Sequence, residues 1–146
     1  MLEALWSFTD PPLLFSTSAR YHDDAMKRQT TGMLGEKLAA DFLTKQGYEI
    51  IETNFRCKEG EVDIIAREGD FLVFIEVRTK TSRAFGTPEE SVTARKKAHL
   101  RNVAARYLES YDSQLPEWRI DFVAVELDRT GKTRRIEVIK NAVEGE

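Results

Sequence analysis

Two acids set into apolar, strand-like runs carry the strongest chemical signal in the sequence. Residues 60–80 read GEVDIIAREGDFLVFIEVRTK: two alternating segments separated by the turn signal Glu68-Gly69-Asp70. Val62, Ile64 and Ala66 are expected on one face of the first segment, with Glu61, Asp63 and Ile65 on the other. In the second, Val73, Ile75 and Val77 share one face, and Phe74, Glu76, Arg78 and Lys80 share the opposite one. Acids are uncommon inside strands this apolar, so Asp63 and Glu76 call for an explanation. A Gly69-Asp70 turn of type II′ sets them directly opposite, with Cβ atoms roughly 4.5–5.5 Å apart. A Glu68-Gly69 turn makes them diagonal neighbours, and a three-residue loop separates them onto opposite faces. Like charges side by side repel unless a cation lies between them. Converging carboxylates are what a hard divalent ion such as Mg²⁺ uses, and Arg78 and Lys80 follow on the same face. The bland alternative is a solvated hairpin face on which Arg78 and Lys80 offset the acids.

The elements that must position this pair are legible on either side. Over residues 31–46 the period becomes helical, with Leu34, Leu38 and Phe42 on one face and Gly47 as a stop. Gly32 and Gly35 permit close approach of backbone or partner, and Glu36 lies at the margin of the apolar face. The plain reading of Glu36 is a first-turn acid favoured by the helix dipole. Residues 48–55 read as a strand leading into the hairpin. Beyond it, Thr87-Pro88-Glu89-Glu90 has the form of a helix start with a capping box. Val92, His99, Leu100, Val103, Tyr107 and Tyr111 then trace an apolar stripe, which makes His99 a core or boundary residue. Arg95, Lys96, Lys97, Arg101 and Arg106 cover the remaining surface. Residues 118–127 form another alternating strand, in which Asp121 is expected to pair structurally with an arginine, and residues 134–141 form a last short one.

The chain of 146 residues is one domain's length, and no apolar run is long enough to span a membrane. A single cysteine, Cys57, excludes an internal disulfide, and His22 and His99 give no zinc spacing with it, so a cytoplasmic setting fits. Residues 1–27 show no sustained period. Glu3 and the Pro11-Pro12 break do not suit a signal peptide, and the segment is read as a weakly ordered extension before a domain at 28–146. Met26 as an alternative start is left open. The net charge of −3 is unevenly spread: residues 78–106 carry eight basic and two acidic side chains, directly after the acidic pair. A phosphate-binding surface beside a metal site has this asymmetry.

The order α-β-β-β-α-β-β describes an α/β domain with a mixed sheet flanked by helices. GMLGEKLAADFLTKQGYEIIETNFR, GEVDIIA, FLVFIEVRTKTSRAFGTPEESVTARKKAHL and RIDFVAV, in that order, resemble the YraN family of uncharacterised bacterial proteins. That family in turn resembles the restriction-endonuclease-like fold and its Holliday-junction-resolvase relatives. The resemblance implies a Mg²⁺- or Mn²⁺-dependent nuclease acting on DNA, with Asp63 and Glu76 as metal ligands and Glu36 assisting. Relatives that cut symmetric junctions act as dimers, so a homodimer is compatible with it. The lysine of the acidic, Glu-x-Lys motif falls at Arg78 here, and arginine holds its proton too firmly for proton transfer, although it can hold a phosphate. Lys80, one pleat further on, or Lys96 from the helix are the candidates to replace it. Arg83, Arg95, Lys96, Lys97 and Arg101 are then expected to track the DNA backbone. Arg78 equally suits a scaffold that binds DNA without cutting it, and a protein-interaction module is the remaining alternative.

Overall fold

The structure, a computed structural model, describes residues 11–143, with side chains from Asp23 onward. Helix α1 runs Pro11–Lys45, followed by β1 (Glu49–Cys57), β2 (Gly60–Glu68), β3 (Phe71–Lys80), α2 (Ala94–Leu108), β4 (Glu117–Leu127) and β5 (Thr133–Ile139). The strands form one sheet in sequence order, antiparallel throughout except for the parallel β3–β4 pair, across which α2 is the crossover. This is the mixed α/β sheet and element order expected from the sequence. Among the described residues no helix is long and apolar enough to cross a membrane.

Strand alternation divides the core into two layers. Val73, Ile75 and Val77 of β3 join Val123 and Val125 of β4 beneath Ala39 and Leu43 of α1. Leu72, Phe74, Ile120 and Phe122 face the other way and pack against Leu100, Val103 and Ala104 of α2. The helices therefore cover opposite faces of the sheet. At Gly35 the approach of α1 to β3 leaves no room for a side chain, because a Cβ there would overlap the Thr79 hydroxyl and lie 2.9 Å from its Cβ. Gly32, by contrast, has nothing within 4 Å of that position.

Three local expectations need correction. The helix expected over residues 31–46 reaches further upstream, as α1 over Pro11–Lys45, while residues 1–10 lie outside the described part. Two prolines suit a first turn whose amides are unpaired anyway. Glu36 is consequently mid-helix and gains nothing from the dipole of a first turn. Secondly, the reciprocal box between Thr87 and Glu90 forms, with Glu90 Oε1 accepting the Thr87 amide at 2.8 Å and Thr87 Oγ1 accepting the Glu90 amide at 3.3 Å. It closes only a short 3₁₀ turn, Glu89–Ser91. Val92 is extended, and α2 begins afresh at Ala94 with Thr93 as N-cap, its hydroxyl accepting the Lys96 amide at 3.1 Å. Thirdly, His99 is exposed; Leu100, Val103, Ala104 and Leu108 make the buried stripe instead.

Asp121 is fully buried and structural, as expected: its carboxylate accepts Arg119 Nε at 2.9 Å, the Tyr48 hydroxyl at 3.0 Å and the Asn141 amide at 2.9 Å.

Candidate metal and nucleic-acid site

The β2–β3 hairpin turns at Gly69-Asp70, with Gly69 at φ +58°, as a turn with positive φ at its first central residue requires. Glu68 pairs with Phe71, and the register continues to Ile64 opposite Ile75. The next pair in that register is Asp63 opposite Glu76, and there the ladder stops. Instead the Asp63 carboxylate enters the sheet and accepts the Val77 amide at 2.7 Å. The alternation of β2 breaks at the same point. Ile64 packs under α1, yet Val62, two residues earlier, packs under α2. Its face is the reverse of the one that period-two reading assigns. On the neighbouring strand Asn54, opposite Asp63, takes φ +54° and is skipped by the pairing, so β1 and β2 kink together. Beyond the kink β2 is no longer laddered to β3, and the two carboxyls occupy the opening.

Asp63 and Glu76 lie near enough at this opening for each carboxyl to act on the proton affinity of the other. Glu76 is 3% exposed, and burial, followed by the charge of Asp63, pushes its carboxyl up to about 8 despite the nearby Lys96 and Arg78. Burial also raises Asp63, against the lowering effect of the Val77 amide. Two cations approach the pair. Lys96 Nζ lies 3.6 Å from Glu76 Oε2, and Arg78 Nη1 lies 3.6 Å from the same oxygen. Arg78 is held by Ser91, its Nε donating to Oγ at 3.2 Å and its Nη2 to the carbonyl at 3.3 Å. Lys80 turns away and donates to the Phe85 carbonyl at 3.2 Å. Of the two lysines that could stand in for the missing one, Lys96 is therefore the one beside the acids.

Glu36 is half-buried on α1, its carboxyl raised by burial first and then by the charges of Asp63 and Glu61. It shares the acidic field, but among the described residues no three His, Cys, Asp or Glu side chains converge as a ligand set. The two acids that stand together are Asp63 and Glu76. Two hard oxygen donors with raised proton affinity fit Mg²⁺ or Mn²⁺, since such an ion binds through one or two carboxylates and keeps waters or phosphate oxygens in its other positions.

Asp63 and Glu36 open into a cleft of about 780 Å³ between α1 and the end of β3. Asp24, Lys27, Arg28 and Thr31 of α1 form one wall; Arg78, Lys80 and the loop after β3 form the other. The α1 wall lies in or beside the segment expected to be an extension. The signal for it was the adjacent pair Lys27-Arg28, a short helical step before Gly32 and Gly35. Of the residues expected to track DNA, Arg95 is exposed on α2, and Lys97 and Arg101 are half-buried one turn apart. Arg83 is engaged by Glu126, its Nε and Nη2 donating at 2.7 and 2.8 Å, and so fixes the loop after β3 to β4.

The sequence profile of the uncharacterised protein family UPF0102 matches residues 35–125. A UPF0102 protein of Dehalococcoides mccartyi is 50% identical over 119 residues, covering 82% of this chain and 97% of that protein. One from Moorella thermoacetica is 50% identical over 117 residues (80% of this chain, 98% of that protein), and one from Beutenbergia cavernae 47% over 107 (73% and 91%). These names state a family and no activity.

Proposed function

From the premise that the chain belongs to the UPF0102 family, whose matched segment contains Glu36, Asp63, Glu76, Arg78 and Lys96, we propose a divalent-metal-dependent, nuclease-like protein acting on the DNA backbone. The observation that carries the reading is the pair of acids Asp63 and Glu76 at the point where β2 leaves β3, with Asp63 lining a cleft that also holds Lys27, Arg28, Arg78 and Lys80. Asp63 and Glu76 would hold Mg²⁺ or Mn²⁺. Such an ion, when bound, supplies an acidified water and offsets charge developing on the phosphoryl oxygens. The chain's own contribution is positional. The Val77 amide fixes the orientation of Asp63, and the short connection to Ser91 fixes Arg78. Lys96 reaches Glu76 from the first turn of α2, where its ammonium can hold a phosphate oxygen or pass a proton to a leaving group. Glu36 keeps the cleft floor acidic and disfavours a phosphate there unless a cation is present.

A binding module that does not cut is the second reading, favoured by Arg78 in the place of a lysine. Thermal melts and cleavage assays separate the two. A divalent ion that binds only the folded chain at a hundred times its Kd should stabilise it by about 2.7 kcal/mol. Mn²⁺ should therefore raise the melting temperature of the wild type and leave Asp63→Asn unmoved. Stabilisation together with Mg²⁺-dependent cleavage of labelled branched or single-stranded DNA supports the nuclease. Stabilisation and DNA binding without cleavage support the module. A melting temperature indifferent to Mn²⁺ defeats the metal site.

A further inference from the structure

Phe85 is 91% exposed, the most exposed large hydrophobic side chain among the described residues. Isolated exposed hydrophobics are ordinary, and Met26, Met33, Ile51 and Leu115 are other examples here. Phe85 differs in place and in support. It is the aromatic among the residues that line the cleft, together with the cations Lys27, Arg28, Arg78 and Lys80 and the acids Asp24, Glu36 and Asp63. The loop that carries it is fastened on both sides of the ring. Arg83 grips Glu126 at 2.7 Å on one side, and Glu89 is held by Arg135 at 2.7 Å on the other. Between these anchors Lys80 Nζ donates to the Phe85 carbonyl at 3.2 Å, and the Gly86 amide donates back to the Arg83 carbonyl at 3.0 Å, closing a tight turn with Phe85 inside it. A ring held out into water by a turn with this many anchors is pre-organised for a flat partner, so little ordering is lost when one arrives.

We propose that Phe85 is a stacking platform for an unpaired base of a DNA strand whose phosphates follow the cleft. A basic groove with an aromatic ring at its margin is the arrangement that holds single strands, the cations tracking the backbone and the ring taking a base face regardless of sequence. Bases within a duplex present no free face, so the site selects single-stranded stretches, flaps or junction arms. The inference rests on the DNA reading above and names the form of DNA that the site takes.

The test uses the full chain in chelator, with an oligonucleotide carrying 2-aminopurine as a single strand and the same sequence as a duplex. Stacking contributes about 1–3 kcal/mol per base, or roughly 5- to 150-fold in affinity. Phe85→Ala should weaken single-strand binding by about tenfold or more, abolish quenching of the 2-aminopurine, and leave duplex binding and the salt slope unchanged. Phe85→Trp should restore affinity and quenching. Unaltered single-strand affinity in Phe85→Ala, or equal losses for strand and duplex, overturns the platform while the DNA reading stands. Absence of any salt-dependent DNA binding by the wild type removes that reading, and the platform with it.

Discussion

Asp63 both accepts the Val77 amide and adds its charge to the burial that raises Glu76, and two substitutions separate these roles. Asp63→Asn keeps an acceptor for the amide and removes the like charge. At pH 8 it should be at least as stable as the wild type in urea melts. Asp63→Ala leaves the amide unpaired at a partly buried site, which costs about 1–3 kcal/mol. Equal losses in both variants would show that the carboxylate is needed structurally as a charge. Glu76 gives a related pH prediction. It keeps its proton to about 8 in the fold, whereas its ordinary value is 4.5, so between these limits the folded chain binds the extra proton. Stability must then fall as pH rises through that window. Glu76→Gln should flatten the curve, with the gap between variant and wild type growing toward pH 8; a wild type that gains stability there relative to the variant would contradict burial as the cause. At this scale the acids were legible, while the register stayed open among three turns until Glu68 was seen to pair with Phe71. The kink was not. Period-two reading has no means of seeing a strand change face at Asp63, where the side chain replaces a ladder hydrogen bond.

The packing of α1 on β3 depends on Gly35, and the sequence showed the small residue without showing its partner. Gly35→Ala should cost about 1–3 kcal/mol, the usual range for forcing an extra group into a packed contact. Gly32→Ala, with open space at the same position, should be neutral or slightly stabilising through helix propensity. A double-mutant cycle with Thr79→Gly should recover much of the Gly35→Ala loss, because Thr79 supplies all three of the nearest atoms. Additive losses would place the strain elsewhere. The start of α2 shows a different limit. The capping box between Thr87 and Glu90 is present in full, but Val92 is buried in extended conformation, and Ser91 is engaged by Arg78 of β3. Tertiary contacts end the first turn and restart the helix at Thr93, a rearrangement that local capping rules do not contain.

Across the molecule the charge follows the faces of the sheet. α2 carries Arg95, Lys97 and Arg101 over one face, while α1 brings Lys27 and Arg28 to the cleft on the other, with the acids at the opening between. Composition located the first group, since residues 78–106 are basic as a block. It missed the second because Lys27 and Arg28 sit among acids in sequence and become a wall only when α1 extends upstream over the cleft. If a strand runs through the cleft and past the α2 N-terminus, both groups should contribute counterion release. Removing one phosphate-binding cation should then lower the slope of log affinity against log salt by about one. Lys27→Ala with Arg28→Ala should reduce the slope by about two, and Lys97→Ala with Arg101→Ala should do the same, in titrations with chelator between about 50 and 200 mM salt. Lys27 is also paired with Asp23 at 3.2 Å, but on an exposed helix surface that pair adds little, so the fold should tolerate the change. A loss confined to the α1 pair would restrict DNA to the cleft and leave α2 as a solvated face. A loss confined to the α2 pair would separate the DNA path from the acids, and with it the metal-dependent reading would lose its substrate.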